Sequence, residues 1–323
     1  VGSEDGTFSR ELGAWAGEHG ARVFCIDPYP APALVTLAEG SPEIELVQQR
    51  SLEALASIEP CDAYLIDGDH NYYTVSRELE LIETQQSSAG KDLLVVLHDM
   101  EWPAGRRDMY YDPESIPADA VHPYTLEKGV RPGVEGVAPG GFRGEGEFAW
   151  ARHEGGPANG VRTAVEDFVA TRPHLALAVV PAVFGLGIVY ATSSPYAERL
   201  ATIASTYAEN PLLERLERNR ITLYLRVIEL QDTLATAYRD LETAGLRIRD
   251  VEVENRALWA RVRELEAQVA HLEEARHTAV EELEGILRSR PFQVAERVSA
   301  LRRLRGGDPG LSSERMRALV DGS

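Results

Sequence analysis

Ala63-Tyr-Leu-Ile-Asp67-Gly-Asp69-His70-Asn-Tyr-Tyr73 and, further along, Leu93-Leu-Val-Val-Leu-His98-Asp99-Met100 decide the fold. Each is a short run of apolar residues, without polar alternation, that stops abruptly on acids and an imidazole. Such runs suit strands covered on both faces, as in a mostly parallel sheet. Two similar runs, residues 22–26 and 44–47, end at Asp27 and shortly before Ser51, and helical patterns lie between the runs at 8–19 and 75–86. The alternation predicts an α/β layer fold from Val1 to about residue 191. In open sheets of this kind ligands bind at the carboxyl ends of the strands, so the polar residues that end these runs collect along one edge.

Residues 101–160 break the rhythm with Gly, Pro, Tyr and Arg and read as a functional lid or as disorder. Helical character returns at 159–171, and two apolar strands at 175–180 and 184–191 close the domain. That last stretch, interrupted by Pro181, Gly185 and Gly187, is too short and broken for a membrane span. The start of the chain has neither the basic opening nor the apolar core of a signal peptide, and it reads as beginning inside the first strand. Cys25 and Cys61, the only two cysteines, lie in apolar runs as small buried hydrophobes, which fits a reducing, cytoplasmic setting. Acids outnumber bases 52 to 33, a net charge of −19 over 323 residues, and this balance repels nucleic acid.

After about residue 195 the chain becomes rich in Leu, Glu, Arg and Ala. Over 209–290 a heptad fits: Leu213, Arg220, Val227, Leu234, Leu241, Ile248, Asn255, Val262, Val269, Arg276 and Leu283 at a, with Leu216, Leu223, Leu230, Ala237, Ala244, Val251, Leu258, Leu265, Leu272, Ala279 and Ile286 at d. Apolar residues at every d position predict a coiled coil. It would be roughly 115 Å long at about 1.5 Å per residue. A lone Asn255 at a is best met by another Asn, so a parallel homodimer in register is expected, with Arg220 and Arg276 disfavouring larger bundles. The tail, 291–323, reads as a basic amphipathic helix followed by partial disorder. It is either a solvated end or a surface for a biosynthetic partner or the inner face of a membrane.

Gly2-Ser3-Glu-Asp-Gly6 ahead of a helix is a strand-to-helix turn that lets a nucleotide approach the backbone, and Asp27, after the next strand, is placed to bind ribose hydroxyls. A structural turn with a helix-capping acid reads the same residues equally well, and NAD and S-adenosylmethionine are indistinguishable on them. The strand ends carry more. Asp67, Asp69, His70, His98 and Asp99 fall at neighbouring termini, where Asp67 and Asp99 supply oxygen ligands for a hard divalent cation and His98 a third. Helix capping accounts for Asp69 and Asn71 but not for the whole set.

These residues resemble the class I S-adenosylmethionine-dependent methyltransferases, in the branch of the macrocin O-methyltransferases and cephalosporin-hydroxylase-like proteins. The resemblance rests on Val-Gly-Ser-Glu-Asp-Gly6, Cys-Ile-Asp27-Pro, Ile-Asp67-Gly-Asp-His-Asn-Tyr and Val-Leu-His98-Asp-Met, and covers residues 1 to about 191. It implies a Rossmann-like, seven-stranded sheet ending in an antiparallel hairpin, within a methyltransferase domain of residues 1–195. S-adenosylmethionine would lie over Gly2, Ser3, Gly6 and Asp67, its ribose on Asp27 and its adenine near Ser51 and Leu52. Mg²⁺ would be held by Asp67 and Asp99, with His98 where related enzymes carry another acid. The family's acid upstream of the glycine turn falls before Val1.

The implied reaction is O-methyl transfer to a sugar hydroxyl of a glycan, a nucleotide- or lipid-linked sugar or a glycosylated metabolite. A cation lowers the acceptor's pKa while Asp69, or its rival His70, takes the proton. Trp102, Arg106, Arg107, Tyr110, Tyr111 and His122 are the candidates to line the acceptor pocket, unless the 101–160 segment simply packs across the sheet. A second reading keeps the fold without the activity, as an inactive head on a coiled-coil scaffold of polysaccharide assembly. A third, an NAD-dependent sugar-modifying enzyme, leaves Asp67 and Asp99 unexplained.

Overall fold

The computed structural model describes residues 1–304 and 312–321. The four apolar runs are strands: β1 (Val23–Ile26), β2 (Ile44–Val47), β3 (Tyr64–Ile66) and β4 (Leu94–Leu97). β1 and β2 pair in parallel, as do β3 and β4. The closing pair, numbered after three short strands described below, is β8 (Leu175–Val180) and β9 (Leu186–Ala191), an antiparallel hairpin whose second strand pairs with β4. The expected seven-stranded sheet is therefore found as two smaller sheets, β1-β2 and β3-β4-β9-β8. Between them the Val1 nitrogen donates to the Leu65 carbonyl, Asp67 N–H to the Val1 carbonyl, and Gly2 N–H to the Ile26 carbonyl. Two residues, too few to count as a strand, thus bond to both sheets.

Helices cover the strands: α1 (Thr7–His19), α2 (Pro32–Gly40), α3 (Ser51–Leu55), α4 (Tyr72–Ala89) and α5 (Val161–Ala170). α4 shows why the sequence folds this way. Asn71 caps it, its side-chain oxygen accepting from Thr74 N–H at 2.8 Å, and Gly90 ends it in the left-handed conformation. Its Val75, Leu79 and Ile82 repeat at helical spacing and are buried with Val95, Leu97 and Met100 in the main core.

The 101–160 segment is an ordered layer rather than a structureless lid. It holds β5 (Met109–Tyr110), β6 (Tyr124–Thr125) and β7 (Ala149–Ala151) in an antiparallel sheet of order β5-β7-β6. Two buried charges hold it. Arg107 donates to the carbonyls of Ala151 and Glu135, at 2.6 and 2.7 Å, while Asp108 accepts from Tyr72 N–H, Gly160 N–H and the Tyr110 hydroxyl at 2.7–2.8 Å.

Two compact units divide the chain at Leu234/Ala235. The first also contains α6 (Ala197–Tyr207) and the opening turns of α7 (Pro211–Arg288), so it extends past the expected boundary at 195. Here Glu217 and Ile221 are buried, whereas the heptad leucines Leu216, Leu223, Leu230 and Leu234 are half or more exposed. The two buried residues of these turns lie outside the a and d positions, while Leu213 and Arg220, both at a, are half-buried.

The second unit holds the rest of α7, α8 (Arg290–Arg303) and α9 (Ser313–Asp321). Pro291 sits in the first turn of α8, where a missing N–H costs nothing, and Ser289 caps that helix. The disorder expected in the tail falls partly on 305–311 and 322–323, outside the described residues. Among the described residues no helix is long and apolar enough to cross a membrane.

Candidate functional site

β3 and β4 are adjacent and parallel, so the residues that leave their carboxyl ends meet. His70 Nε2 lies 2.8 Å from Asp99 Oδ2 and 3.3 Å from Asp67 Oδ1. His98 Nδ1 lies 3.0 Å from the same Asp99 oxygen and 3.1 Å from the same Asp67 oxygen. Two carboxylates and two imidazoles thus form a closed ring. One ligand atom each from Asp67, His70 and Asp99 falls within 4.8 Å of the others, a spacing that can hold a metal ion. His70, read from the sequence as a rival base, stands among the candidate ligands, with His98 against the same two acids.

The electrostatics follow from this packing. Burial opposes a charge on His70, but Asp99 and Asp67 outweigh it and push its pKa up to about 10. Hydrogen bonds to Asp67 and Asp99 push His98 up to about 10 as well. Burial works against charge on the acids too, yet the two imidazoles bring Asp67 down to about 2 and hold Asp99 well below the usual carboxylate range. Protonated imidazoles here supply the positive charge that a divalent cation would bring, and binding one would release protons. The donor set fits such an ion: two carboxylates suit a hard cation, and the nitrogens extend the choice to a borderline one such as Mn²⁺.

The glycine turn packs directly on this ring. Gly2 has φ +73°, and a Cβ there would meet the Asp67 carbonyl oxygen at 2.1 Å, so only glycine passes. Gly6, at φ +80°, precedes the first turn of α1. Ser3 and Glu4 N–H groups donate to Asp27 Oδ2 at 3.1 and 2.9 Å, and Tyr29 N–H donates to its Oδ1 at 2.9 Å. Asp27 thereby fixes the turn. Ser51 opens α3 beside the buried Glu78.

The remaining candidates separate. Asp69 turns aside to accept from Asn71 Nδ2 at 2.6 Å and Thr74 Oγ1 at 3.0 Å; its Oδ1 is buried without a partner, and burial raises its pKa. Tyr111 lies with its ring 6.0 Å from that of His70; burial and the charges of Asp99, Asp67, Glu4 and Asp69 push its hydroxyl up to about 12. The five other acceptor candidates lie elsewhere, and three of them, Arg107, Tyr110 and His122, spend their polar groups inside the segment. Arg107 is fully buried among carbonyls, and Tyr110 bonds Asp108 and His122 N–H. Arg106 pairs with Glu166 at 2.6 Å, and Trp102 packs against the core beside Phe142. His122 Nε2 bonds the Ala158 carbonyl.

Sequence reading missed the pair Arg50–Asp112, 2.6 Å, which ties the 101–160 segment to the end of β2. It also missed Phe184, whose ring lies edge-on to His98 at 6.4 Å. Neither belongs to a motif, since each is defined only by a neighbour distant in sequence.

Residues 1–100 match the family model described as a methyltransferase domain, which supports a methyltransferase. The matched stretch contains both strand-end motifs and the glycine turn. Comparisons with curated proteins and with solved structures gave no match.

Proposed function

We propose that the chain is an S-adenosylmethionine-dependent O-methyltransferase acting on a sugar hydroxyl with the help of a divalent cation. The observation that supports it most is the ring of Asp67, His70, His98 and Asp99 packed against a glycine turn, within the stretch that matches a methyltransferase domain. Asp67 and Asp99, with His70 or His98, would hold the cation. When bound, it would orient the acceptor hydroxyl and lower its pKa.

The chain's own residues supply the rest. The turn at Gly2–Gly6 and Asp27 hold the donor, and Tyr111 borders the acceptor side of the ring. Asp69, whose pKa burial raises, would take the hydroxyl proton on turning from Asn71 and Thr74 toward the ring. When bound, S-adenosylmethionine would supply an electrophilic methyl group to the acceptor oxygen. Holding donor and acceptor together at one sheet edge would supply much of the rate.

Calorimetry of the full chain with S-adenosylmethionine, with and without Mg²⁺ or Mn²⁺, tests the reading. Saturable one-to-one binding is expected, weakened at least about tenfold, or 1.4 kcal/mol, in Asp27→Ala. A folded chain that binds no donor overturns it. Asp69→Asn should then keep donor binding and lose turnover on a panel of glycosylated acceptors.

A further inference from the structure

The turn that joins β8 to β9 leads from the long helix to the ring of acids and imidazoles. Val183, Phe184 and Gly185 have φ of +50°, +65° and +88° in succession, a conformation that non-glycine residues hold only where surroundings impose it. On one side of this turn, Glu217 of α7 is buried, and its carboxylate accepts from Val183 N–H at 3.1 Å and Phe184 N–H at 2.8 Å. Arg220 clamps the same carboxylate with two bonds of 2.6 and 2.7 Å and lies 4.2 Å over the Phe184 ring.

On the other side, the Phe184 carbonyl accepts from Glu101 N–H at 2.7 Å and the Gly185 carbonyl from Met100 N–H at 3.2 Å. Those amides directly follow Asp99, itself at φ +57°. A Cβ at Gly185 would meet Glu101 at 2.7 Å, so the turn and the segment after β4 approach too closely for any side chain there. The Phe184 ring meets His98 edge-on.

We infer that Glu217 is a positioning residue for His98 and Asp99, so that the opening turns of α7 belong to the machinery of the site. The carboxylate satisfies two amides that the left-handed turn leaves without strand partners, and the turn passes that constraint to the peptide after Asp99. Glutamine at 217 keeps the shape but loses the charge that both amides and Arg220 face. The inference does not need the methyl-transfer reading, because it concerns the geometry of His98 and Asp99 whatever they hold.

The test uses the full chain with ¹⁵N-labelled histidine, the His98 signal being assigned by His98→Gln. In Glu217→Gln the imidazole resonances of His98 are expected to move, while those of His19, His271 and His277 stay in place and far-ultraviolet circular dichroism is unchanged. Arg226→Ala, on the exposed side of α7, should move none of them. A folded Glu217→Gln with His98 unmoved overturns the proposal. If that variant does not fold, Arg220→Gln, which frees Glu217 without removing it, is read in the same way, and an unmoved His98 there overturns it too. Mn²⁺ affinity provides a second readout, expected to fall about tenfold in Glu217→Gln, as for other residues that orient metal ligands. A wild-type chain that binds no Mn²⁺ defeats the cation reading alone and leaves the histidine readout to decide.

Discussion

Glu78 is a fully buried acid in the first unit. It lies on the buried face of α4, and burial pushes its pKa up from 4.5 to about 7, with the Ser51 side chain offsetting this only in part. The folded state therefore favours the protonated acid. Its contribution to stability is fully present below the unfolded pKa near 4.5 and is lost as pH rises through about 7. At 1.36 kcal/mol per pH unit, the difference amounts to roughly 3 kcal/mol. Glu78→Gln should remove that slope and raise stability at pH 8 by up to this amount, measured by urea denaturation at pH 5 and pH 8. Equal slopes in both proteins would show that Glu78 is charged or solvated in the folded chain.

Among the elements, the β5-β7-β6 layer depends on charges that the sequence offers equally to an acceptor. Arg107 is fully buried and directs its guanidinium at carbonyls of β7 and of the loop near Glu135, with Glu154 as its nearest acid. Removing it leaves the buried Ala151 carbonyl without this partner, so Arg107→Ala should cost about 2 kcal/mol or more, read as a lowered denaturation midpoint. A variant of undiminished stability would return Arg107 to the acceptor pocket. For α7 the argument concerns its faces. In the first unit the buried residues are Glu217 and Ile221, while Leu216, Leu223, Leu230 and Leu234 stay exposed, as do Leu241, Leu258, Leu265 and Leu272 beyond it. We propose that these exposed heptad leucines face a second copy in register, with Asn255 opposite Asn255. Sedimentation equilibrium at micromolar concentration should give a dimer, and Leu258→Lys with Leu265→Lys should give a monomer.

At the scale of the whole molecule, the first unit ends inside a helix. A chain ended after Leu234 should fold and keep its donor affinity, because it retains the contacts of Glu217, Tyr224, Glu229 and Asp232 with the β8–β9 turn and the 101–160 segment. Ending it after residue 195 removes these contacts. The two hydrogen bonds to the Glu217 carboxylate alone stand for about 3 kcal/mol or more. Thermal melts of the two truncations, read with calorimetry for S-adenosylmethionine, check the difference. Equal stability would mean that the opening turns of α7 contribute nothing to the fold.

The strand runs, the helix caps, the heptad and the acids at two neighbouring strand ends were all legible in the amino-acid sequence, because each depends on periodicity or on residues a few positions apart. Local pattern also placed Asp67, His70, His98 and Asp99 on one edge, since parallel strands deliver their carboxyl ends together. Tertiary structure alone decided that both imidazoles share the same two carboxylate oxygens, that Asp69 turns toward Asn71 and Thr74, and that Arg107 belongs to the interior. It alone joined Glu217 to Phe184 and Arg50 to Asp112. The physical reason is the same for each: periodicity fixes which face a residue occupies, but a charge settles where it finds a partner, and these partners lie dozens of positions away or depend on a side-chain rotamer that no spacing encodes.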